Sequence, residues 1–431
     1  MITAISPFSI DSLGFAALAT GSVLVAWSPW RDRFVAWLAF SSLVFLATWL
    51  DLQSAGFFVA FLVPPYFAVC WSRNSKRLSG HWPLAMIIVW QVAVFVTVKG
   101  YAGLEGLQFW NQPIVTVGLS YILFRQLHLV IEAVSHGALP LTFPRYIAYT
   151  LSFWTILAGP IQRYPDFCKG METIGRPNLD VVLAALHRGL NGAFKAFLIA
   201  PLFFQPKNVV SLIEPAVTWI DGAVVLYAFP VYLYLNFSGY TDLVIAVAEL
   251  CGMRTMPENF NRPYLARNVQ DFWGRWHLSF SYWMRDYVFM PLNLAVHRNL
   301  PVSIQGLGLG LSVLGTFVLV GAWHGTTVEF LIFGVLHGAA VIVVSVTGEG
   351  LKRVLGRQGK KRFLSHPIWI AAAWVTTFHF LCFTILLINN EAKEIWLVIG
   401  TLASWENFQI NRLTFQARFR ALLDQRHRFS S

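Results

Sequence analysis

Runs of apolar residues about as long as a bilayer is thick recur along this chain, and no other feature restricts its fold so strongly. A helix rising ~1.5 Å per residue needs ~20 mostly apolar residues to cross the hydrocarbon layer. Such runs stand near residues 12–30, 34–50, 54–71, 82–98, 113–134, 144–160, 189–206, 216–236, 302–322, 327–347 and 366–388. Helices, which close their own hydrogen bonds, are the structures that runs of this length can form in lipid. The chain therefore reads as an all-α, polytopic integral membrane protein with roughly ten or eleven transmembrane helices plus interfacial or re-entrant helices. Composition agrees: 56% of residues are hydrophobic, 12% are charged, and mean hydropathy is +0.57, far from a soluble domain.

A net charge of +11 raises the question of nucleic acid, but the basic residues sit in short clusters between apolar runs, as topology signals do. Arg31 and Arg33 follow the first run and Arg73, Lys76 and Arg77 the third, with Asp51 between, which places the N-terminus outside the cytoplasm. The loop 352–362 and the tail residues Arg412 to Arg428 are both basic, and both are cytoplasmic only if residues 366–404 cross twice. The first run lacks a basic leader and reads as a retained helix, not a cleaved signal. Cys70, Cys168, Cys251 and Cys382 are isolated and suggest neither disulfide nor metal. Residues 1–404 read as one membrane domain with its core at about 113–347, followed by a basic tail, 405–431.

Two stretches, Pro160 to Arg188 and Met253 to Arg275, are too polar to span and too long for tight turns. They read equally well as cavity walls and as ordinary surface loops, since irregular backbone at membrane depth must be buried in protein or line a wet cavity. There is no internal repeat, which counts against a transporter built of duplicated halves.

From an Asn268 cap, the sequence predicts one amphipathic helix through Tyr287. Trp273, Trp276, Phe280, Trp283 and Tyr287 form an aromatic stripe on one face, read as headgroup-layer anchors. His277, Ser281 and Arg285 recur every four residues on another. His324 ends an apolar run, and an ionisable group in such a place is a functional candidate. A neutral imidazole there can act as a general base. His337 follows thirteen residues later, about 220° around an unbroken helix, facing away from His324. No histidine spacing fits a metal motif. The Gly306, Gly308 and Gly310 series reads as close helix packing, and no serine sits in a nucleophile elbow.

Several ordered motifs resemble one family. They are Gly118 to Arg125, Ala158 to Ile161, Phe237 to Asp242, Asn259-Phe260-Asn261-Arg262-Pro263, Asp271 to His277, Arg285-Asp286-Tyr287 and Trp323-His324-Gly325. Together they are similar to the membrane-bound O-acyltransferases, in the bacterial branch that acetylates alginate or D-alanylates teichoic acids. The likeness runs from about Val117 onward. It implies a helical membrane enzyme of the bacterial cytoplasmic (inner) membrane, folded around a central tunnel. There an acyl thioester, acetyl-CoA or an acylated carrier protein on the cytoplasmic side, meets a hydroxyl of an exported polymer or of a periplasmic or extracellular transfer partner. No bound cofactor and no nucleic acid are implied; membrane lipid is the surrounding partner.

The family's invariant histidine corresponds to His324, expected to deprotonate the acceptor hydroxyl. The branch's second histidine corresponds to His277, expected to orient the acceptor or to protonate the departing thiol. Arg275, Asn261 and Trp323 are expected around the donor or the oxyanion, with Trp276 and Asp286 completing the substrate-binding set. Acetyl transfer to an exported polysaccharide is preferred narrowly over D-alanylation. A transporter of an acylated intermediate and an envelope scaffold are the readings from other classes.

Overall fold

The structure is a computed structural model and describes residues 13–48, 52–74, 82–100, 118–136, 140–203, 219–389 and 392–403. Asp51, Lys76, Arg77 and the basic tail 405–431, on which the orientation argument drew, lie outside the described residues.

Within those residues the chain is helical, with a single isolated antiparallel bridge between Phe260 and Trp276. The first helices are α1 (Leu13–Trp27), α2 (Phe34–Ala47), α3 (Leu52–Asn74), α4 (Trp82–Lys99), α5 (Leu119–His136), α6 (Phe143–Thr150), α7 (Tyr164–Glu172) and α8 (Leu179–Ala193). A π-helical turn, Phe194–Ile199, carries α8 on into Ala200–Phe203. Next come α9 (Trp219–Leu250), α10 (Val269–Trp273), α11 (Leu278–Met284), a π turn at Arg285–Phe289, and α12 (Met290–Asn299). The chain closes with α13 (Gln305–His324), α14 (Val328–Leu364), α15 (Pro367–Asn389) and α16 (Ala392–Ala403).

Four stretches are long and apolar enough to cross a membrane, Gly222–Leu250, Val302–His324, Val328–Leu364 and Pro367–Ile388, and three shorter apolar helices lie in α1, α3 and α4. The chain is a multi-pass membrane protein. Large apolar side chains follow one face of α8 and its continuation, where Leu183, Leu186, Leu190, Phe194 and Leu198 are all exposed. In water such a stripe would be costly; lipid is its natural solvent.

One predicted span is corrected. Of residues 144–160 only α6 is helical, and Leu151 to Ala158 turn through the core, with Phe153 and Trp154 buried. Arg125 of α5 explains how that turn is tolerated. Fully buried, it donates to the carbonyls of Tyr149, Thr150 and Thr155 at 3.0 to 3.2 Å and to Thr155 Oγ1 at 2.6 Å. The carbonyls of Tyr149 and Thr150 would otherwise be orphaned at the end of α6, and burying one unpaired costs about 1–3 kcal/mol; that of Thr155 also accepts from Gly159 N at 3.0 Å.

The hairpin of α13 and α14 is held differently. A Cβ at Gly321 would stand 2.2 Å from Phe330 O, and one at Gly334 2.3 Å from Phe317 O. The two backbones touch because these residues lack side chains. Of the earlier glycine series only Gly308 is tightly packed, against Val296 and Leu300.

Candidate active site

The predicted continuous helix from Asn268 to Tyr287 is broken in its first half. Its cap is as expected, with Asn268 Oδ1 accepting from Asp271 N at 2.7 Å. The helix then stops at Trp273. His277 takes the left-handed conformation, φ 46° and ψ 54°, which costs a non-glycine residue about 1–2 kcal/mol. The bridge to the neighbouring strand-like segment holds it there: Asn261 N donates to Arg275 O at 2.9 Å and Leu278 N to Asn259 O at 3.0 Å. His277 is therefore presented at a break between α10 and α11, not along a helix face.

The aromatic stripe is also corrected. Trp276, Phe280 and Trp283 are buried in the core, so they pack the protein and do not anchor it in the headgroup layer. Trp276 stacks on Phe272 with centroids 5.6 Å apart.

His277 is buried among Phe280 and Phe237, at 5.1 and 4.9 Å between centroids. Burial, with His324 close by, lowers its pKa to about 3, so the ring is neutral at physiological pH. Nδ1 lies 3.2 Å from Asn259 Oδ1 and Nε2 3.4 Å from the Tyr121 hydroxyl. Asn259 Oδ1 also accepts from Ser279 N at 3.1 Å and Ser279 Oγ at 2.7 Å, and Ser279 Oγ accepts from Ile161 N at 2.9 Å.

His324 approaches from α13, of which it is the last residue. Its ring centroid lies 4.5 Å from that of Trp323, 5.6 Å from that of Phe333 and 6.4 Å from that of Phe280. Trp323 and Phe280 are stacked 4.3 Å apart, and Trp323 is 6.3 Å from His277. Both imidazoles therefore lie against one aromatic plate, no further from each other than the two legs through Trp323. Among the described residues neither nitrogen of His324 has a hydrogen-bond partner. Lys99, at the end of α4, donates to the carbonyls of Ala322 (3.1 Å) and Trp323, a cation on the negative end of α13.

The other sequence-chosen residues separate. Trp323 is in the plate, and its indole N–H is buried without a partner among the described residues. Arg275 is ion-paired with Asp271 at 2.7 Å, and Asn261 is exposed; neither bonds to either imidazole. Asp286 pairs with Arg163 and Arg285. His337 lies on a separate helix from His324, so no unbroken helix sets how the two rings face; both pack on Phe333, but each nitrogen of His337 is bonded elsewhere. Its Nδ1 accepts from Trp273 Nε1 at 3.1 Å, and its Nε2 donates at 2.9 Å to Thr384 Oγ1, whose own proton goes to Phe380 O. Sequence reasoning gave no site role to Tyr121 or Lys99, named Asn259 only within a motif, and read Phe280 as an anchor. Only Lys99, a lone cation ending an apolar run, carried a signal. No group of three potential metal-ligating side chains gathers among the described residues.

A multi-pass helical protein that brings two histidines to one buried aromatic plate has the makings of a membrane-embedded transferase, and comparison supplies the class. The chain belongs to the membrane-bound O-acyltransferase family, whose model matches residues 34–389; it is an O-acyltransferase. Among characterised relatives it is similar to the teichoic acid D-alanyltransferase of Bacillus subtilis, 30% identical over 64% of this chain and 69% of that one. The Streptococcus thermophilus teichoic acid D-alanyltransferase is 25% identical over 91% of this chain and 95% of its own. A probable alginate O-acetylase of Pseudomonas syringae is 30% identical over 56% of this chain and 44% of its own.

Proposed function

We propose that this protein, crossing a bacterial cytoplasmic membrane ten or eleven times, moves a small acyl group from a cytoplasmic thioester to a hydroxyl of an exported envelope polymer. The observation that carries this reading is the shared plate, with His277 and His324 both against Phe280 and Trp323. The acceptor oxygen bonds to the thioester carbonyl carbon, His324 takes the hydroxyl proton, the C–S bond breaks, and the sulfur leaves as a thiol with that proton returned by His324. Trp323 Nε1, a buried donor without a partner among the described residues, suits the oxyanion of the tetrahedral intermediate. Holding donor and acceptor together supplies the proximity, and no acyl-enzyme is needed.

Acetyl transfer to a polysaccharide is the reading the sequence motifs favour. D-alanyl transfer from a carrier protein is the second reading, favoured by the near end-to-end correspondence with the Streptococcus D-alanyltransferase. The decisive experiment offers purified protein in nanodiscs labelled acetyl-CoA or labelled D-alanyl carrier protein, with an acceptor polymer, and follows alkali-labile label. One donor should label the acceptor, and His324→Ala should lower the rate by about 10²–10⁴-fold, the usual worth of a general base. Transfer from neither donor would favour a transporter. Full activity in His324→Ala would remove the base assignment.

A further inference from the structure

We propose that Asn259 is a positioning residue that holds His277 as its Nδ1–H tautomer, so that Nε2 meets the acceptor as a hydrogen-bond acceptor and not as a proton donor. The oxygen and nitrogen of the Asn259 amide are distinguished by their neighbours. The atom taken as Oδ1 lies 3.1 Å from the backbone nitrogen of Ser279. A backbone N–H can only donate, so the atom facing it must be the oxygen; turning the amide over would set two donors against each other.

The serine hydroxyl points the same way. Ser279 Oγ accepts from Ile161 N at 2.9 Å, which leaves its proton for Asn259 Oδ1 at 2.7 Å. With the oxygen thus fixed, His277 Nδ1, 3.2 Å from it, must carry the hydrogen. In a neutral imidazole the other nitrogen then bears the lone pair. That nitrogen, Nε2, faces Tyr121 OH at 3.4 Å, and the phenol donates to it in the resting protein.

Of the two roles expected for His277, the geometry selects one. Its only N–H is committed to Asn259, so the resting ring has no proton to give a departing thiolate. Its free lone pair receives an O–H, Tyr121's at rest and one from the hydroxyl-bearing acceptor when that binds. Asn259, buried and beside a histidine but two residues before the asparagine the motif suggested, thus does for His277 what an orienting carboxylate or amide does for the histidine of a hydrolase triad. The tautomer rests on geometry alone; its use in acyl transfer rests on the function proposed above.

Two measurements keep those apart. Nitrogen-15 NMR of histidine-labelled full-length protein in nanodiscs, with His277→Gln used to assign the signal, should give Nδ1 as protonated and Nε2 as the bare nitrogen. An Nε2–H tautomer at His277 overturns the proposal whether or not the protein acylates anything. Asn259→Leu should then mix the tautomers and lower kcat by about 10²-fold or more, with KM for the thioester changed far less, whereas Asn259→Asp should preserve the tautomer and raise the pH at which the ring protonates. Should Asn259→Leu not fold, Ser279→Ala serves: the tautomer persists because Asn259 Oδ1 still accepts from the Ser279 backbone N–H. A mixed tautomer in Ser279→Ala, or an unaltered tautomer and kcat in a folded Asn259→Leu, counts against Asn259. Failure of acyl transfer in wild-type protein with an intact Nδ1–H signal would strike the proposed function and leave the tautomer standing.

Discussion

The two histidines at the plate are held by unlike means. His277 stands where the backbone leaves helical geometry, and the atoms that face it are tied: Asn259 Oδ1 takes three donors, though Asn259 Nδ2 is buried without a partner among the described residues, and the His277 backbone is clamped by the bridge to Asn259 and Asn261. His324 ends a regular helix, has no hydrogen bond of its own among the described residues, and is located by close contact. A Cβ on Gly325 would fall 1.9 Å from Phe330, and Gly321 leaves no room either. Where backbone is irregular and buried, polar satisfaction must do the fixing; where it stays helical, its groups satisfy themselves and steric closeness suffices. The first design immobilises a ring and its protons, and the second places a ring while leaving both nitrogens available to substrate.

The largest expected effect breaks the second wall. Gly321→Ala places a methyl against the Phe330 carbonyl, which cannot rotate away, so the hairpin must part. Overpacking of this kind costs about 1–3 kcal/mol and more where backbone is displaced. Gly315 on the same helix has nothing within 4 Å of a Cβ, and Gly315→Ala should be neutral or stabilising by up to about 1 kcal/mol. Thermal unfolding in detergent, followed by size-exclusion of the survivors, distinguishes the two; equal melting temperatures would mean that glycine contact does not hold this wall.

A smaller effect is expected beside the plate. His337 packs on Phe333, as His324 does, but belongs by its bonds to the satisfied kind of wall. His337→Phe keeps the ring and strands the Trp273 indole N–H, a loss of about 1–3 kcal/mol. Activity per folded molecule should stay within about threefold, on the scale of a change that spares the general base. A His337→Phe protein that is stable and inactive would place this residue in the chemistry.

The helices were legible in the sequence because length and apolarity are local properties. Loss of the 144–160 span has the same root: Phe153 and Trp154 are as apolar in a buried turn as in a helix, and the turn exists because Arg125, distant in sequence, satisfies its carbonyls. Asn268 was readable as a cap, since its partner is three residues away. The break at His277 was not, because its left-handed backbone is enforced by Asn259 and Asn261 across the bridge. Nor could the sequence choose between those asparagines, because residues two apart in extended backbone share a face. His324 and His277 were singled out because ionisable groups are scarce among apolar runs. Phe280 was read as an anchor and Tyr121 was given no role because aromatic residues there are common, and only tertiary packing distinguishes those at the plate.

The smallest effect tests how dry the satisfied wall is. His277 ordinarily would titrate near 6.5, and burial with His324 alongside lowers it to about 3 in the folded protein. The unfolded chain then binds a proton below pH 6.5 that the folded chain refuses, so this residue's contribution to stability is complete above that pH and declines as pH falls toward 3. The slope is at most about 1.4 kcal/mol per pH unit for one proton. Other groups titrate in the same range, so the useful quantity is a difference: wild-type protein should lose melting temperature more steeply than His277→Gln between pH 6.5 and 5, and the curves should run parallel from pH 7 to 8. Acyl transfer by the wild type, measured over the same range, should show no inflection near 6.5 arising from this ring. Parallel melting curves throughout would mean that His277 is as wet as His324 is expected to be when substrate reaches it, and the contrast between the two walls would rest on hydrogen bonds alone.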